Sequence, residues 1–444
     1  MNRPNILLII SDSAQQSAYG CYGHPRVRTP FIDALARDGV VFTNAFTTAP
    51  VCHPARSSID TGLFPQHSGI LNNSWGPGTY PFRISDDAPS YVRALKALGY
   101  RTAYTGQKHL REHLFDDVVP GSYTAFRMSG LRETARSDRP RHAFYGELDL
   151  PLDRHRDAFT VHGAISLLRQ YAASDRPWLI QCEFDGPHYP LVIPKEYARM
   201  YDPASVEPPP NFDDPFDGKQ EIHARAKAKQ INEPFNDTWR NYIAHYWGYV
   251  SMLDAFTGEI LAELERLGLD RDTLVIYTSD HGDLIGAHGI ATKYPMMYDE
   301  VLKVPLVARL PGRIPAGRVC REFVSHVDLL PTLIEFAGGA VEAPVHGRSW
   351  AALACGESAS WPRTSIYAQL HGFGPANWFS LRMVRTEEAK YVFSPFAVDE
   401  LYDLRTDPGE LRNVARERPE LLQEMRGRLL EWMEAVDDSL RRWL

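Results

Sequence analysis

A chain of 444 residues, 44% hydrophobic and 23% charged, is long enough to bury one large core beside a smaller companion, and its composition excludes a disordered protein. A formal net charge of −8 and a pI near 6.1 argue against a general binder of nucleic acid or of anionic membranes, while leaving room for a local basic pocket. No apolar run approaches the roughly 20 residues of a membrane span. Five scattered cysteines (Cys21, Cys52, Cys182, Cys320, Cys355) show no C-x-x-C spacing, and the opening M-N-R-P-N-I-L-L-I-I-S-D has too short an apolar run for a signal peptide. Reduced thiols in a cytoplasmic protein are the expectation.

In chain order, residues 6–10 form a continuous aliphatic run that predicts a strand buried on both faces, with Asp12 emerging at its carboxyl end. Residues 29–38 read as an amphipathic helix, 40–45 as β-prone, 88–98 as a helix and 101–105 as a short strand. Residues 116–156 lack sustained periodicity and predict an insertion over the sheet. A helix over 158–173 and a strand over 178–184 follow. Residues 202–235, with their Pro-Pro-Pro run, predict a second irregular insertion. Then come a long helix (242–267), a strand (273–279), another strand (304–309) and a helix (327–337). This alternation implies a mostly parallel sheet with helices on both faces. Composition shifts over 338–362, after which strands over 365–370, 379–385 and 390–393 and a helix over 419–436 predict a small α+β unit. The expected domains are 1–350 and 351–444.

Three stretches carry chemistry. Residues 51–62 read V-C-H-P-A-R-S-S-I-D-T-G. Pro54 suits the first turn of a helix expected over 57–61, so Cys52 would sit where unpaired N–H groups favour negative charge, with Arg56 one turn on. Asp12 and the pair Asp280-His281 each end a predicted buried strand, so a parallel sheet would bring them together. Two carboxylates and an imidazole can hold a divalent cation. Taken singly, such a cysteine is commonly a buried structural residue and such an aspartate a helix cap; their joint presence favours a site.

The string C-x-P-x-R followed by S-x-x-T-G resembles the signature of the type I sulfatases, in which this cysteine is oxidised to formylglycine. I-I-S-D (9–12) and T-S-D-H-G-D (278–283) resemble the two metal-binding segments of that family. Ser13 stands where many members carry a second aspartate, and His281 where many carry asparagine. T-G-Q-K-H-L resembles the G-K-x-H segment at Lys108 and His109, G-P-H-Y-P resembles P-H-x-P at His188, and Lys293 stands where the family has a substrate-binding lysine. Asn73, in G-I-L-N-N, matches a polar pocket position or is plain turn chemistry. E-L-Y-D-L-R-T-D-P-G-E-L-R-N (400–413) resembles a C-terminal segment read here as structural.

The resemblance implies an α/β fold of the alkaline-phosphatase type, a large mostly parallel sheet sandwiched by helices with a smaller C-terminal α+β domain. It implies hydrolysis of a sulfate ester through formylglycine at Cys52, which requires a formylglycine-generating enzyme as a maturation partner. The implied metal residues are Asp12, Ser13, Asp280, His281 and Cys52. The family's usual ion is Ca2+; with Ser13 and His281 in place, Mg2+ or Mn2+ is the alternative. Lys108 and Arg56 would steady nucleophile and anion, and Asp280 would accept a proton. His188 or Lys293 would protonate the leaving alcohol, and His109 would deprotonate the second hydroxyl. Lys108, His188, Lys293 and Asn73 are the implied substrate contacts. No nucleic-acid or membrane partner is expected, and a homo-oligomer is left open. Loops over 72–80, 116–156 and 202–235, with Trp75, Tyr80, Tyr123, Phe126, Phe144 and Tyr145, point to a carbohydrate sulfate. The rivals are a phosphonate monoester or phosphodiester hydrolase of the same superfamily, and a catalytically inactive binder of sulfated glycans.

Overall fold

Seven consecutive buried residues end the first strand, and a strand covered on both faces belongs inside a sheet. The computed structural model describes residues 3–73, 84–107, 111–121, 145–294, 296–357, 360–372, 379–395 and 397–444. In it, Asn5–Asp12 (β1) lies inside an eight-stranded sheet with Val40–Phe42 (β2), Arg101–Gly106 (β3), Asp117–Pro120 (β4), Trp178–Pro187 (β5), Thr273–Ser279 (β6), Leu306–Arg309 (β7) and Arg318–Cys320 (β8). The spatial order is β8-β2-β7-β6-β1-β5-β3-β4. β1 pairs in parallel with β5 and β6, β3 with β5 and β4, and β2 with β8. Only β7 runs antiparallel to its neighbours β6 and β2. The expected mostly parallel sheet is therefore present, with one reversed strand.

The period-two alternation of β1 divides the interior. Leu7 and Ile9 enter a core on one face; Ile6, Leu8 and Ile10 enter a second core on the other. The first core is covered by Pro30–Arg37 (α1), Arg156–Tyr171 (α4) and Asp237–Arg266 (α6), the second by Cys52–Thr61 (α2), Tyr91–Ala97 (α3) and Leu329–Phe336 (α7). Each fully buried aliphatic side chain contributes about 1.5–3 kcal/mol, so this strand alone is strongly tied to both layers.

Two irregular stretches were misread by periodicity. The expected insertion over 116–156 opens with β4, the edge strand of the main sheet. Four residues are too few to show a period, and Pro120 is tolerated because an edge strand leaves N–H groups outside the ladder. The second insertion contains a helix, Glu221–Lys229 (α5), which buries only His223 and Ala226 and so carries almost no apolar stripe.

Beyond the main sheet, Ile366–His371 (β9), Ser380–Arg385 (β10), Ala389–Phe393 (β11) and Glu400–Asp403 (β12) form an antiparallel sheet in chain order. Val384, Tyr391 and Leu401 on one face meet Met425, Leu429, Trp432 and Met433 of the C-terminal helix Pro419–Ala435 (α8). Leu370, Leu381 and Met383 on the other meet Met296, Met297 and Leu302 of the main body. The smaller C-terminal α+β unit is present, and E-L-Y-D is its last strand. Among the described residues no helix is long and apolar enough to cross a membrane.

Candidate active site

β1 and β6 are parallel neighbours with Ser11 opposite Ser279, so the residues that follow leave the sheet level with one another. Asp12 and Asp280 therefore meet although 268 positions apart. The Asp280 N–H donates to the Ser11 carbonyl at 3.1 Å, and the Ser13 N–H donates to Asp280 Oδ1 at 3.1 Å. Ser13 is left-handed (φ 68), which turns its hydroxyl back to donate to Asp12 Oδ1 at 2.9 Å. Gly282 is required by space: a Cβ there would stand 1.9 Å from the Glu300 carbonyl oxygen.

Against this carboxyl end stands α2, which begins at Cys52, earlier than the helix expected over 57–61. Pro54 lies in the first turn, where its missing N–H removes no helical bond. The helix is polar yet buried, because its side chains are satisfied. Ser57 Oγ donates to the Pro54 carbonyl at 2.7 Å, and Thr61 Oγ1 to the Ser57 carbonyl at 2.7 Å. Asp60 accepts from Ser90 Oγ at 2.7 Å and from Arg111 Nη2 at 2.7 Å, and left-handed Gly62 (φ 67) ends the helix.

Cys52 Sγ sits 3.2 Å from Lys293 Nζ, 3.4 Å from His281 Nε2 and 3.8 Å from Asp12 Oδ1. Lys293 Nζ also donates to Ser13 Oγ at 3.2 Å and lies 3.7 Å from Asp12 Oδ1. Arg56, with no exposure, spans three carboxylates: Nη2 to Asp12 Oδ2 at 3.2 Å, Nε to Asp280 Oδ2 at 3.0 Å, and Nη1 to Glu183. One guanidinium thus ties the ends of β1 and β6 to Glu183 on β5.

Electrostatics follow from this crowding. Burial opposes ionisation of Asp12, but Lys293, His188 and Arg56 outweigh it and hold its carboxyl well below the usual range. Burial and then the Asp12 charge push Asp280 up to about 6. Burial raises Glu183 and Asp283 to about 7. Burial and Lys293 lower His188 to about 4 and His281 to about 3. Burial and Asp12 push the Cys52 thiol up to about 12. The helix terminus that favours an anion is overruled here, so the sulfur is protonated at neutral pH and the thiol is a poor nucleophile.

Four residues, Asp12, Cys52, Asp280 and His281, present donor atoms within 4.8 Å of one another, all buried. The His281 Nδ1–H donates to the Gly282 carbonyl at 2.7 Å, leaving the Nε2 lone pair towards the cluster, the tautomer a metal ligand needs. Among the described residues, the buried carboxylates Asp12, Glu183, Asp280 and Asp283 face the buried cations Arg56 and Lys293. Two carboxylates, an imidazole nitrogen and the sulfur make a donor set that fits one divalent cation.

Of the other expected residues, Asn73 Oδ1 accepts from the backbone N–H of His53 at 2.9 Å and lies 3.0 Å from His53 Nδ1, one residue from Cys52. His188 stacks on Tyr189 at 4.9 Å between centroids, with Nδ1 on the Tyr189 carbonyl, and acts electrostatically on Asp12 and Lys293. Lys108 and His109 lie outside the described residues, as do Trp75, Tyr80, Tyr123, Phe126 and Phe144. Sequence reasoning missed Glu183 and Asp283. Glu183 was visible as the one charge within W-L-I-Q-C-E-F, since a lone carboxylate in a buried strand requires a partner. Asp283 had no comparable signal beyond its place in D-H-G-D.

The sulfatase family model matches residues 4–340, and that of the N-sulphoglucosamine sulphohydrolase C-terminal region matches 286–436. An uncharacterized sulfatase, YidJ, of Escherichia coli is 30% identical over 100% of this chain and 90% of its own length. A delta 4,5-hexuronate-2-O-sulfatase of Bacteroides thetaiotaomicron is 27% identical over 99% of this chain and 90% of its own. The crystal structure of a phosphonate monoester hydrolase of Agrobacterium radiobacter superposes with a TM-score of 0.84 at 24% identity, covering 98% of this chain and 96% of that one, a likeness of fold. With a family model spanning most of its length and a carboxyl-end cluster built around Cys52, the chain belongs to the sulfatase family of the alkaline phosphatase superfamily, the sulfuric ester hydrolases.

Proposed function

We propose that this chain hydrolyses carbohydrate sulfate esters through a formylglycine formed from Cys52, assisted by a divalent cation held by Asp12, Asp280 and His281 beside Cys52 and the Ser13 hydroxyl. The observation that carries the reading is the convergence of Lys293, His281 and Asp12 within 4 Å of the Cys52 sulfur. When present, the hydrated aldehyde supplies a hydroxyl nucleophile towards sulfur, and the cation polarises the sulfate oxygens. The chain's own residues do the rest. Arg56 holds the carboxylates in place, and Asp280, raised to about 6 by burial and Asp12, is suited to accept a proton near neutral pH. Burial opposes the charge of Lys293, and the Asp12 and Asp280 carboxylates beside it favour the protonated form. Lys293 therefore neutralises the sulfate and is the better of the two candidates for protonating the departing alcohol. His188, lowered to about 4 by burial and then Lys293, is a neutral imidazole at neutral pH; with its Nδ1–H on the Tyr189 carbonyl, Nε2 is left as a hydrogen-bond acceptor. Lys108 and His109 complete the reading by resemblance, as anion holder and as base for the second hydroxyl.

The carbohydrate assignment is supported by the hexuronate sulfatase relative and by the second insertion, whose Gln230 bonds the backbone next to Lys293. A cytoplasmic location belongs to the same reading, supported by five free thiols. The rival, phosphonate monoester hydrolysis, is favoured by Ser13 in place of a second carboxylate. Kinetics on a panel of sulfated mono- and disaccharides, aryl sulfates and phenyl phosphonate monoesters decides. The highest kcat/KM is expected on a carbohydrate sulfate. A strong phosphonate preference would overturn the sulfate reading, and activity confined to aryl esters would overturn the carbohydrate one.

The metal reading has its own test. Chelation is expected to abolish turnover and to lower Tm, because uncompensated buried carboxylates repel once the cation leaves. Restoring Ca2+, Mg2+ or Mn2+ one at a time identifies the ion by which restores both; a chelated protein with unchanged Tm and rate would refute the site.

A further inference from the structure

Lys293 approaches Cys52 from a loop over 284–293 whose first part is closed by its own backbone turns and whose end, at Ala291 and Thr292, is held by a side chain of the second insertion. Ile285 (φ 48) and His288 (φ 56) are left-handed beside Gly286 (φ 94) and Gly289 (φ 65). Residues with a Cβ keep such conformations only where their surroundings impose them. The surroundings are specific. The His288 N–H donates to the Asn211 carbonyl at 3.1 Å, and its ring Nδ1 to Asp214 Oδ2 at 2.6 Å. Closer to the site, the N–H groups of Ala291 and Thr292 both donate to Gln230 Oε1, at 2.9 and 2.8 Å, and Gln230 Nε2 donates back to the Thr292 carbonyl at 3.4 Å. The next N–H, that of Lys293, is taken by the Asp283 carboxylate. All of these residues are buried.

Three successive N–H groups leading to the Lys293 side chain are thus satisfied by side chains in place of a strand or helix ladder. One amide, Gln230, holds two of them and closes the grip on the carbonyl between. We propose that Gln230 is a positioning residue for the reaction: it fixes the backbone from which Lys293 reaches the nucleophile, so the second insertion acts on catalysis as well as on substrate choice. The proposal rests on the reading of Lys293 as the cation that holds the sulfate group. A lysine swings on four rotatable bonds, so only a fixed backbone confines its ammonium to one place, and a misplacement of about 1 Å can cost roughly a hundredfold in rate.

The test compares mature wild-type enzyme with Gln230→Ala, Gln230→Glu, Lys293→Ala and the Gln230→Ala/Lys293→Ala pair, using kcat/KM on the best sulfate ester and the Kd of inorganic sulfate by calorimetry. Gln230→Ala is expected to lower kcat/KM by roughly 10- to 100-fold and to weaken sulfate by about tenfold. Gln230→Glu, which keeps an acceptor oxygen for both N–H groups but loses the donor to the Thr292 carbonyl, is expected to lose less than Gln230→Ala, and in the Lys293→Ala background Gln230→Ala should change sulfate affinity by less than about twofold. Equal losses in both backgrounds, or no rescue by glutamate, would reduce Gln230 to a structural residue and overturn the proposal. Wild-type sulfate affinity in Lys293→Ala alone would instead refute the reading of Lys293, and the proposal with it.

Discussion

On the proposed reading, Cys52→Ala is expected to lower kcat by roughly 10,000-fold or more while leaving the fold intact, because alanine has no thiol to be converted and its Cβ cannot become the aldehyde carbon. Cys52 is the first residue of α2, and its sulfur makes only weak contacts, the nearest at 3.2 Å from Lys293 Nζ. Alanine keeps the helix start, and the loss of one small buried group costs on the order of 1 kcal/mol, so Tm should move by a few degrees at most. The raised thiol sharpens the expectation. At about 12 the sulfur stays protonated at neutral pH, so an unconverted cysteine should be nearly as inactive as alanine. Mass spectrometry of the Cys52 peptide from cells containing the maturation enzyme should accordingly find a loss of about 18 Da in active protein. Active protein with an unmodified thiol, or Cys52→Ala retaining a tenth of the wild-type rate, would show that the nucleophile lies elsewhere.

The second large effect is expected from Arg56→Ala, and here stability and activity fall together. Arg56 has no exposure and donates to Asp12, Asp280 and Glu183, which are themselves fully buried. Removing one partner of a buried ion pair typically costs about 3–5 kcal/mol, since the remaining charge is left uncompensated, and here three carboxylates lose their shared partner. A drop in Tm of about 5 °C and loss of measurable turnover are expected. Arg56→Lys should recover part of the Tm but little activity, because an ammonium is a single point charge and cannot bridge three carboxylates that a planar guanidinium engages in different directions. Thermal unfolding with and without added divalent cation separates the contributions: the cation should restore part of the lost stability in Arg56→Ala by replacing positive charge. A variant that melts with wild type would mean that Arg56 does not organise the cluster.

Much of this protein is written in local chemistry. The aliphatic run of β1 can satisfy its backbone and its side chains only inside a sheet, and the alternation of such runs with helical periods implies a mostly parallel sheet, as found. Residues 51–62 announce a helix and its glycine stop, though the helix starts at Cys52 and not at 57, and the aspartates at the ends of β1 and β6 are placed at one sheet end by strand direction alone. The elements that escaped, β4 and α5, carry too little apolar pattern for any period to show; each is held by what it packs against.

The electrostatic character of the site was decided by packing. From position in a helix, Cys52 should favour its anion; in place, desolvation and the Asp12 carboxylate make it a protonated thiol. Glu183 reads as an oddity within a strand until Arg56 is seen beside it, and Gln230 reads as an unremarkable polar residue until the N–H groups of Ala291 and Thr292 are found on its oxygen. Strand direction and helix caps depend on neighbours a few residues away. Charge states depend on everything within several ångströms, and at the carboxyl end of this sheet those neighbours come from β1, α2, β5 and the loop after β6, segments that only the completed fold brings together.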